Sequence, residues 1–500
     1  MHLSPTPAIT MLPSGQSLTF RELNDQCSRL VGALQALGLK EGDRIAFLLA
    51  NQIEYPVVVL SAQNGGFDHL PLNTHSNDEE LSQIISQLKP AAIIASDAFT
   101  DKAAALSKQL DSSIVRIMTG QALAGWLPFK DLLKAHEPAA LEANDHVGGL
   151  LLLSGGSTGV PKIVVRPNAN KRGTPRNTGA FAVLPLGSDD TVLIPGSPLY
   201  HTMPMGWMVS ALDAGAHTII MERFGNGEAA LEAIDRFKVT LLPLVPTMMK
   251  RLLNLPTECK EKYSVASLKA VMHGTMPCAP DVKHRFLQWI PCTWEGYGMT
   301  EGFGMCAISP DDWYRAIASV GKPVNGTRVT IRDHEGNELP IGKVGTVWFA
   351  RADGARMSYL GQPEETANCY NEFGEGTAFD EGRVDSDGNL FLVGRSKNMV
   401  IVGGTNVFPV RIEDTLTVHA AVSDACVVGV EDQEWGQVPV AVVELASSHT
   451  DSAELRDTII QHCRKSLGSL PTPRRLVVVE RIPRTPTGKV RLSDIHALVN

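Results

Sequence analysis

The chain has no CxxC pair and no His/Cys cluster; its eight cysteines are scattered from Cys27 to Cys463. That scatter argues against a zinc site or a disulfide framework and for a reducing compartment, the cytoplasm. Long apolar runs are also missing. None approaches the ~18 residues of a membrane span, and the run at 147–153 is short and ends in Ser-Gly-Gly. The opening MHLSPTPAITMLPSG has neither a basic nor an apolar leader region, so no secretory signal is expected. The closing HALVN matches no retrieval or peroxisomal address. Positive charge is in deficit: 45 Lys plus Arg against 54 Asp plus Glu, a net −9. General nucleic-acid binding is a poor fit to that balance. Internal repeats and low-complexity tracts are absent. What is present is a globular balance of 43% hydrophobic and 20% charged residues over 500 positions, enough for several domains with ample cores.

Helix and strand signals alternate through the first 150 residues. Residues 20–37 put Leu23, Cys27, Leu30 and Leu34 on one helical face, closed by Gly38. Thr19 and Glu22 supply a capping box at its start. Residues 44–49 and 91–95 read as strands, and 77–88 as an amphipathic helix. Strand segments continue at 191–195, 218–221, 239–243 and 268–272. Such alternation predicts parallel sheets. From about Arg328 the texture changes to short strands at 329–332, 345–350 and 389–393 separated by turns, a small β-rich subdomain. After a polar junction at 394–398, short α/β units return at 425–430, 438–445 and 453–467. The expected fold class is α/β: a large N-terminal body over 1–396 and a small mobile α+β domain over 397–500, hinged near Lys397.

Four segments carry chemistry. In Leu-Leu-Leu-Ser-Gly-Gly-Ser-Thr-Gly-Val-Pro-Lys (151–162), an apolar strand runs into a Gly/Ser/Thr loop and a lysine. Glycines let backbone N–H groups approach phosphate oxygens, hydroxyls add donors and lysine adds charge. The spacing is neither a Walker loop nor a dinucleotide fingerprint. In Glu-Gly-Tyr-Gly-Met-Thr-Glu (295–301), a ring, a hydroxyl and a carboxylate suit a base, a phosphate and Mg²⁺ respectively. Phe379-Asp380, with Arg395 in Val-Gly-Arg-Ser-Lys (393–397), offers a carboxylate for ribose hydroxyls and a guanidinium near the same sugar or phosphate. Pro-Arg-Thr-Pro-Thr-Gly-Lys (483–489) presents one ammonium on a Pro-restrained loop. Read singly, each has an ordinary alternative: a surface loop, a core tyrosine, a surface salt bridge, a polar tail.

Together, in this order and spacing, the four resemble the adenylate-forming superfamily of acyl- and aryl-CoA synthetases, adenylation domains and luciferases, over nearly the whole chain. The resemblance implies ATP- and Mg²⁺-dependent conversion of a carboxylate to an acyl-adenylate, then rotation of the small domain and transfer to the thiol of CoA. It implies that Ser154, Gly155, Gly156, Ser157, Thr158, Gly159 and Lys162 hold the ATP phosphates. Tyr297 would stack on adenine, Thr300 contact phosphate and Glu301 bind the metal. Gly274, Glu295, Gly296, Gly298 and Met299 would border the nucleotide. Asp380 would hold the ribose, and Arg395 would make a second nucleotide contact. Gly403 and Gly404 would line the thiol tunnel after rotation, and Lys489 would bridge carboxylate and α-phosphate during adenylation. His201, in Pro-Leu-Tyr-His-Thr-Met-Pro (198–204), resembles the wall or gate of the acyl pocket, with a satisfied structural histidine as the alternative. Two departures stand beside the contacting atoms: Ile163 after Lys162 and Phe379 before Asp380, where relatives commonly have glycine. The basic stretch from Arg166 to Asn177, with Lys171, Arg172 and Arg176, reads as a solvated loop, with contact to the CoA phosphates as the alternative.

The acid is the least specified part. Residues 240–249 and 203–208 are apolar and Met-rich, either pocket lining or helix core. The phosphate loop resembles that of aryl-acid activating enzymes. The stretches at 273–280 and 242–252 resemble bile-acid and related alicyclic or fatty acyl-CoA ligases. The expectation is a CoA ligase for a bulky hydrophobic, alicyclic or aromatic acid. Two alternatives are a standalone enzyme loading a carrier protein's phosphopantetheine, since no carrier domain follows Lys489, and a nucleotide-binding regulator without turnover.

Overall fold

The computed structural model describes residues 4–139, 147–154, 161–166, 183–395, 398–403, 405–485 and 489–499. Within them the strands form five sheets. The largest runs in the order Lys322–Pro323, Met305–Ile308, Thr293–Gly298, Ala270–Gly274, Leu241–Leu244, Thr191–Ile194, His217–Met221, Pro7–Leu12 and Ser17–Thr19. Its six central strands pair in parallel and its margins antiparallel. A second sheet, of Asp68–Pro71, Arg44–Leu48, Ala92–Ser96, Val115–Thr119 and Leu127–Pro128, is parallel throughout. Their inner strands are apolar on both faces, as a parallel sheet covered by helices requires; Ala92–Ser96 is buried at every residue.

The helix Phe20–Ala36 starts at the capping box of Thr19 and Glu22, both arms formed, and buries Leu23, Cys27, Leu30 and Leu34 between the two sheets. Asn77 caps the helix Asp78–Leu88 by accepting from the Glu80 amide. The Met-rich segments resolve toward core. Met205 and Met208 on the helix Thr202–Ala214, and Met249 on Pro246–Leu253, are fully buried, and Met248 nearly so. Met203, partly buried, packs against two cores. These side chains therefore carry no information about the acid.

Beyond them, Thr327–Arg332, Gly345–Arg351, Asp380–Val384 and Leu390–Arg395 build the expected β-rich unit as one antiparallel sheet. Residues 400–499 have two cores of their own on either side of a five-stranded sheet. Here the segments expected at 425–430 and 438–445 are the two arms of one long hairpin, Val422–Asp432 against Gly436–Leu445, and 453–467 is the helix Ala453–Leu467. The turn explains it: Asp432 Oδ1 accepts from the amides of Glu434 and Trp435, and Gly436 takes φ +76°. That geometry reverses the chain in a few residues instead of crossing over through a helix. No helix among the described residues is long and apolar enough to cross a membrane.

Candidate active site

Two neighbouring strands of the large sheet, Ala270–Gly274 and Thr293–Gly298, align His273 with Glu295 and Gly274 with Gly296. Their approach at the end is close: a Cβ on Gly274 would lie 2.3 Å from the Gly296 carbonyl oxygen, so only glycine fits. Gly298 pairs with Met305 across the next strand. Tyr297, one residue before it, is half-buried and donates its hydroxyl to Asp380 Oδ2 at 2.6 Å. Asp380 is 7% exposed and stands opposite Arg395 in the register of the β-rich sheet. The ring and the ribose-type carboxylate are thus brought together from different sheets. Phe379 holds φ +62°, a left-handed conformation that favours the glycine expected there.

The phosphate-loop base is a hairpin. Leu152–Leu153 pairs with Ile163–Val165, the Ser154 amide donates to the Lys162 carbonyl at 2.9 Å, and Ser154 Oγ accepts the Lys162 amide at 3.0 Å. Gly155, Gly156, Ser157, Thr158 and Gly159 lie outside the described residues. Lys162 Nζ pairs with Glu365 and sits 4.9 Å from the ring centre of Tyr359. The Tyr359 hydroxyl donates to Glu301 Oε1 at 3.0 Å, and burial followed by the Glu301 charge keeps that phenol protonated. Lys162 and Glu301 therefore meet around one tyrosine that sequence reasoning missed.

Arg166 corrects the solvated-loop expectation. Its side chain is partly buried, with Nε donating to the Thr300 carbonyl at 3.0 Å and an NH2 group reaching the Met299 and Thr300 carbonyls. Burial lowers its pKa to about 10, opposed by Glu301. It braces the Met299-Thr300-Glu301 turn from beneath. The rest of that loop, residues 167–177, lies outside the described residues.

Glu295 is engaged inside the protein. Its Oε2 accepts from Lys283 Nζ at 2.6 Å, and both side chains are largely withdrawn from solvent, at 12% and 1% exposure. Burial pushes the Glu295 carboxyl up and the Lys283 ammonium down, each opposed by the other's charge. Lys283 also lies 5.2 Å from the Trp313 ring centre. Lys283 lies on the helix Pro280–Trp289, so the pair ties the strand of Glu295 to that helix.

His201 precedes the helix Thr202–Ala214, its ring centre 4.3 Å from that of Tyr200 and its Nε2 buried without a hydrogen-bond partner among the described residues. Burial, then the charge of Lys489, then His75 push its pKa down to about 3, so the imidazole is neutral. The charge of Lys489, from the far end of the chain, is thus felt at the acyl-pocket motif. Lys489 is held locally: its amide donates to Thr485 Oγ1 at 3.1 Å and its carbonyl accepts the Thr485 amide at 2.7 Å. His75, whose Nδ1 is 3.4 Å from the Tyr200 hydroxyl, is a further neighbour without a sequence signal of its own. Gly403 takes φ +54°, and its amide donates to the Trp435 carbonyl at 2.8 Å. Gly404 and Lys397 lie outside the described residues. Among the described residues no three His, Cys, Asp or Glu side chains gather as a metal set.

Comparison with known proteins adds the kinship. The AMP-binding enzyme family model matches residues 4–360, and the model of the AMP-binding enzyme C-terminal domain matches 411–489. A feruloyl-CoA synthase of Amycolatopsis sp is 28% identical over 96% of this chain and 94% of its own length. A fatty acid–acyl-carrier-protein ligase, ScoC, of Streptomyces coeruleorubidus is 28% identical over 99% and 94%. Among solved structures, the amide bond synthetase McbA of Marinactinospora thermotolerans superposes with a TM-score of 0.84 at 27% identity, covering 99% of this chain and 97% of that one.

Proposed function

The chain belongs to the AMP-binding enzyme family, an AMP-forming acid–thiol ligase by that kinship, and we propose that its acid is bulky and apolar or aromatic and its acceptor the thiol of CoA. In the first half-reaction the substrate carboxylate oxygen attacks the α-phosphorus of ATP and pyrophosphate leaves. In the second the thiol sulfur attacks the acyl carbon, AMP leaves and the thiol proton passes to water.

The observation that carries the reading is the 2.6 Å hydrogen bond from Tyr297 to Asp380, which joins two nucleotide motifs from different sheets, and the charge of Lys489 is felt at His201 on the acyl side. Bringing a carboxylate to a phosphate joins two anions, and a positioned ammonium stabilises the charge as it develops. Thr300 would contact the phosphates, with Ser154, Lys162 and the loop 155–159 around them. Tyr297 would carry the adenine and Asp380 the ribose, with Arg395 at the same nucleotide. Gly274, Gly296, Gly298 and Met299 would border it. Glu295, held by Lys283, would keep the strand in place. His201, neutral, would close the acyl pocket without acting as a base: the acid is already ionised, and a thiol proton is readily lost at attack. Gly403 and Gly404 would line the thiol path once the C-terminal region, 397–500, has turned about Lys397.

Glu301 fits Mg²⁺. It is one hard carboxylate oriented by Tyr359, and this cation takes one or two carboxylates together with substrate phosphates. Bound there, Mg²⁺ would neutralise phosphate charge.

Support for a bulky acid with an aromatic or apolar body comes from the feruloyl-CoA synthase relative and from Tyr200 and His201 at the acyl-pocket motif. Loading of a carrier protein stands as a second reading, favoured by the similarity to ScoC. The test is pyrophosphate release across a panel of acids, with product formation followed on CoA, on a carrier protein and on an amine. Thioester on CoA supports the main reading, and thioester on the carrier alone replaces it with the second. Amide alone would set both aside. Absence of pyrophosphate release with every acid would leave a nucleotide-binding regulator.

A further inference from the structure

An ammonium on the large N-terminal body faces a group of carboxylates on the C-terminal region. Lys250 lies in the last turn of the helix Pro246–Leu253, and its Nζ is 3.7 Å from Asp424 Oδ1. Both are partly withdrawn from water, at 31% and 19% side-chain exposure. Asp424 belongs to the strand Val422–Asp432, and its Oδ2 accepts from Arg484 Nε at 2.9 Å and NH2 at 2.7 Å. Arg484 bridges Val490 in antiparallel fashion, the Arg491 amide donates to the Pro483 carbonyl at 3.0 Å, and Thr485 and Lys489 bond each other. Arg484 and Lys489 therefore sit at the two ends of one closed loop. A second carboxylate, Asp414 on the helix Pro409–Val418, also feels Lys250; burial raises its pKa to about 6 and the ammonium opposes the rise. Glu413, beside it, accepts the Val427 amide at 2.9 Å.

We infer that Lys250 is a positioning residue for the first half-reaction: through Asp424 and Arg484 it holds the Lys489 loop over the acyl site. The inference rests on the proposed adenylation and on a C-terminal region that leaves this orientation for the second half-reaction. The Arg484–Asp424 contact lies within that region and travels with it. The Lys250–Asp424 contact crosses between the two parts and has to break. Its geometry suits that duty. At 3.7 Å it is an ion pair without a hydrogen bond, attractive over distance and released without tearing a tight donor–acceptor contact.

The experiment separates the half-reactions in the full chain. Lys250→Met should slow pyrophosphate release about 5-fold, the upper range for one partly exposed pair acting on a two-state equilibrium. Lys250→Glu, which adds a carboxylate opposite Glu413, Asp414 and Asp424, should slow it at least about 20-fold. Lys250→Arg should restore it. Thioester formation from a supplied acyl-adenylate should stay within about twofold in all three, because the pair is absent from that step. Rising salt should slow pyrophosphate release in the wild type more than in Lys250→Met. Equal loss in both half-reactions would make Lys250 merely structural and overturn the inference. So would full pyrophosphate release in both Lys250→Met and Lys250→Glu. A wild type that releases no pyrophosphate with any acid would overturn the adenylation reading itself, and the inference with it.

Discussion

The strand Thr293–Gly298 and the loop around Lys489 carry two ends of one proposed chemistry on opposite kinds of support. The strand lies inside a nine-stranded sheet, shares a glycine-only contact with its neighbour, and is locked from behind by the Lys283–Glu295 pair. The loop hangs from a separate small core and is linked to the large body through Arg484, Asp424 and the 3.7 Å ion pair of Asp424 with Lys250. Packing of the first kind permits no adjustment without losing buried contacts. Polar ties of the second kind are each worth little and can be exchanged. A site that must be stiff toward the nucleotide and reversible toward its lysine needs both.

Disturbing the stiff half should have the largest effect. Lys283→Met leaves Glu295 buried and uncompensated, and is expected to lower stability by about 3–5 kcal/mol in a denaturant titration. Replacing both with Met should recover much of that. If Lys283→Met unfolds at the wild-type midpoint, the strand is not locked as described. Lys489→Ala should leave stability unchanged and slow pyrophosphate release at least ~100-fold, about 3 kcal/mol for one preorganised charge-stabilising donor. Transfer from a supplied acyl-adenylate should proceed near the wild-type rate. Equal loss in both steps would mean that the loop does not leave the site.

A pH series sharpens the contrast from the mobile side. Burial raises Glu413 to about 7 and Asp414 to about 6, so the folded form keeps protons that the unfolded chain has released. Stability of the C-terminal region should therefore fall as pH rises from about 4.5 through about 7, the reverse of a salt-bridged carboxylate. Glu413→Gln should remove roughly 3 kcal/mol of that pH-dependent change. Melting curves across this range, followed by a probe on Trp435, would check it; an unchanged slope would show Glu413 ionised in the fold. The smallest effect is expected at Phe379. Glycine there relieves roughly 1 kcal/mol of left-handed strain but loses packing against the core beneath the β-rich sheet, so stability should move by less than about 1 kcal/mol. A large loss in Phe379→Gly would mean that the ring, not the backbone, sets the position of Asp380.

Much of this was legible along the chain. The capping box at Thr19 and Glu22, the β-rich stretch after Arg328 and the four chemical motifs are runs of contiguous residues whose geometry is short-range. The segments 425–430 and 438–445 are legible too, but not their pairing as one hairpin, because an apolar run marks a strand without naming its partner.

What the sequence by itself determined was the family and the order of the motifs, because those are patterns of residue type at fixed spacing. Only the tertiary structure decided which side chains serve them. Arg166 reaches the Thr300 carbonyl across 134 positions, and Tyr359 reaches Glu301 across 58. Lys283 is drawn under Glu295 by a helix packed against its strand, and Lys250 meets Asp424 only because two separately folded cores come together. Each is an ordinary charged or aromatic residue in sequence. Burial and distance assign the role, and both are properties of the folded chain: a charge taken out of water must find its partner wherever the fold has put one.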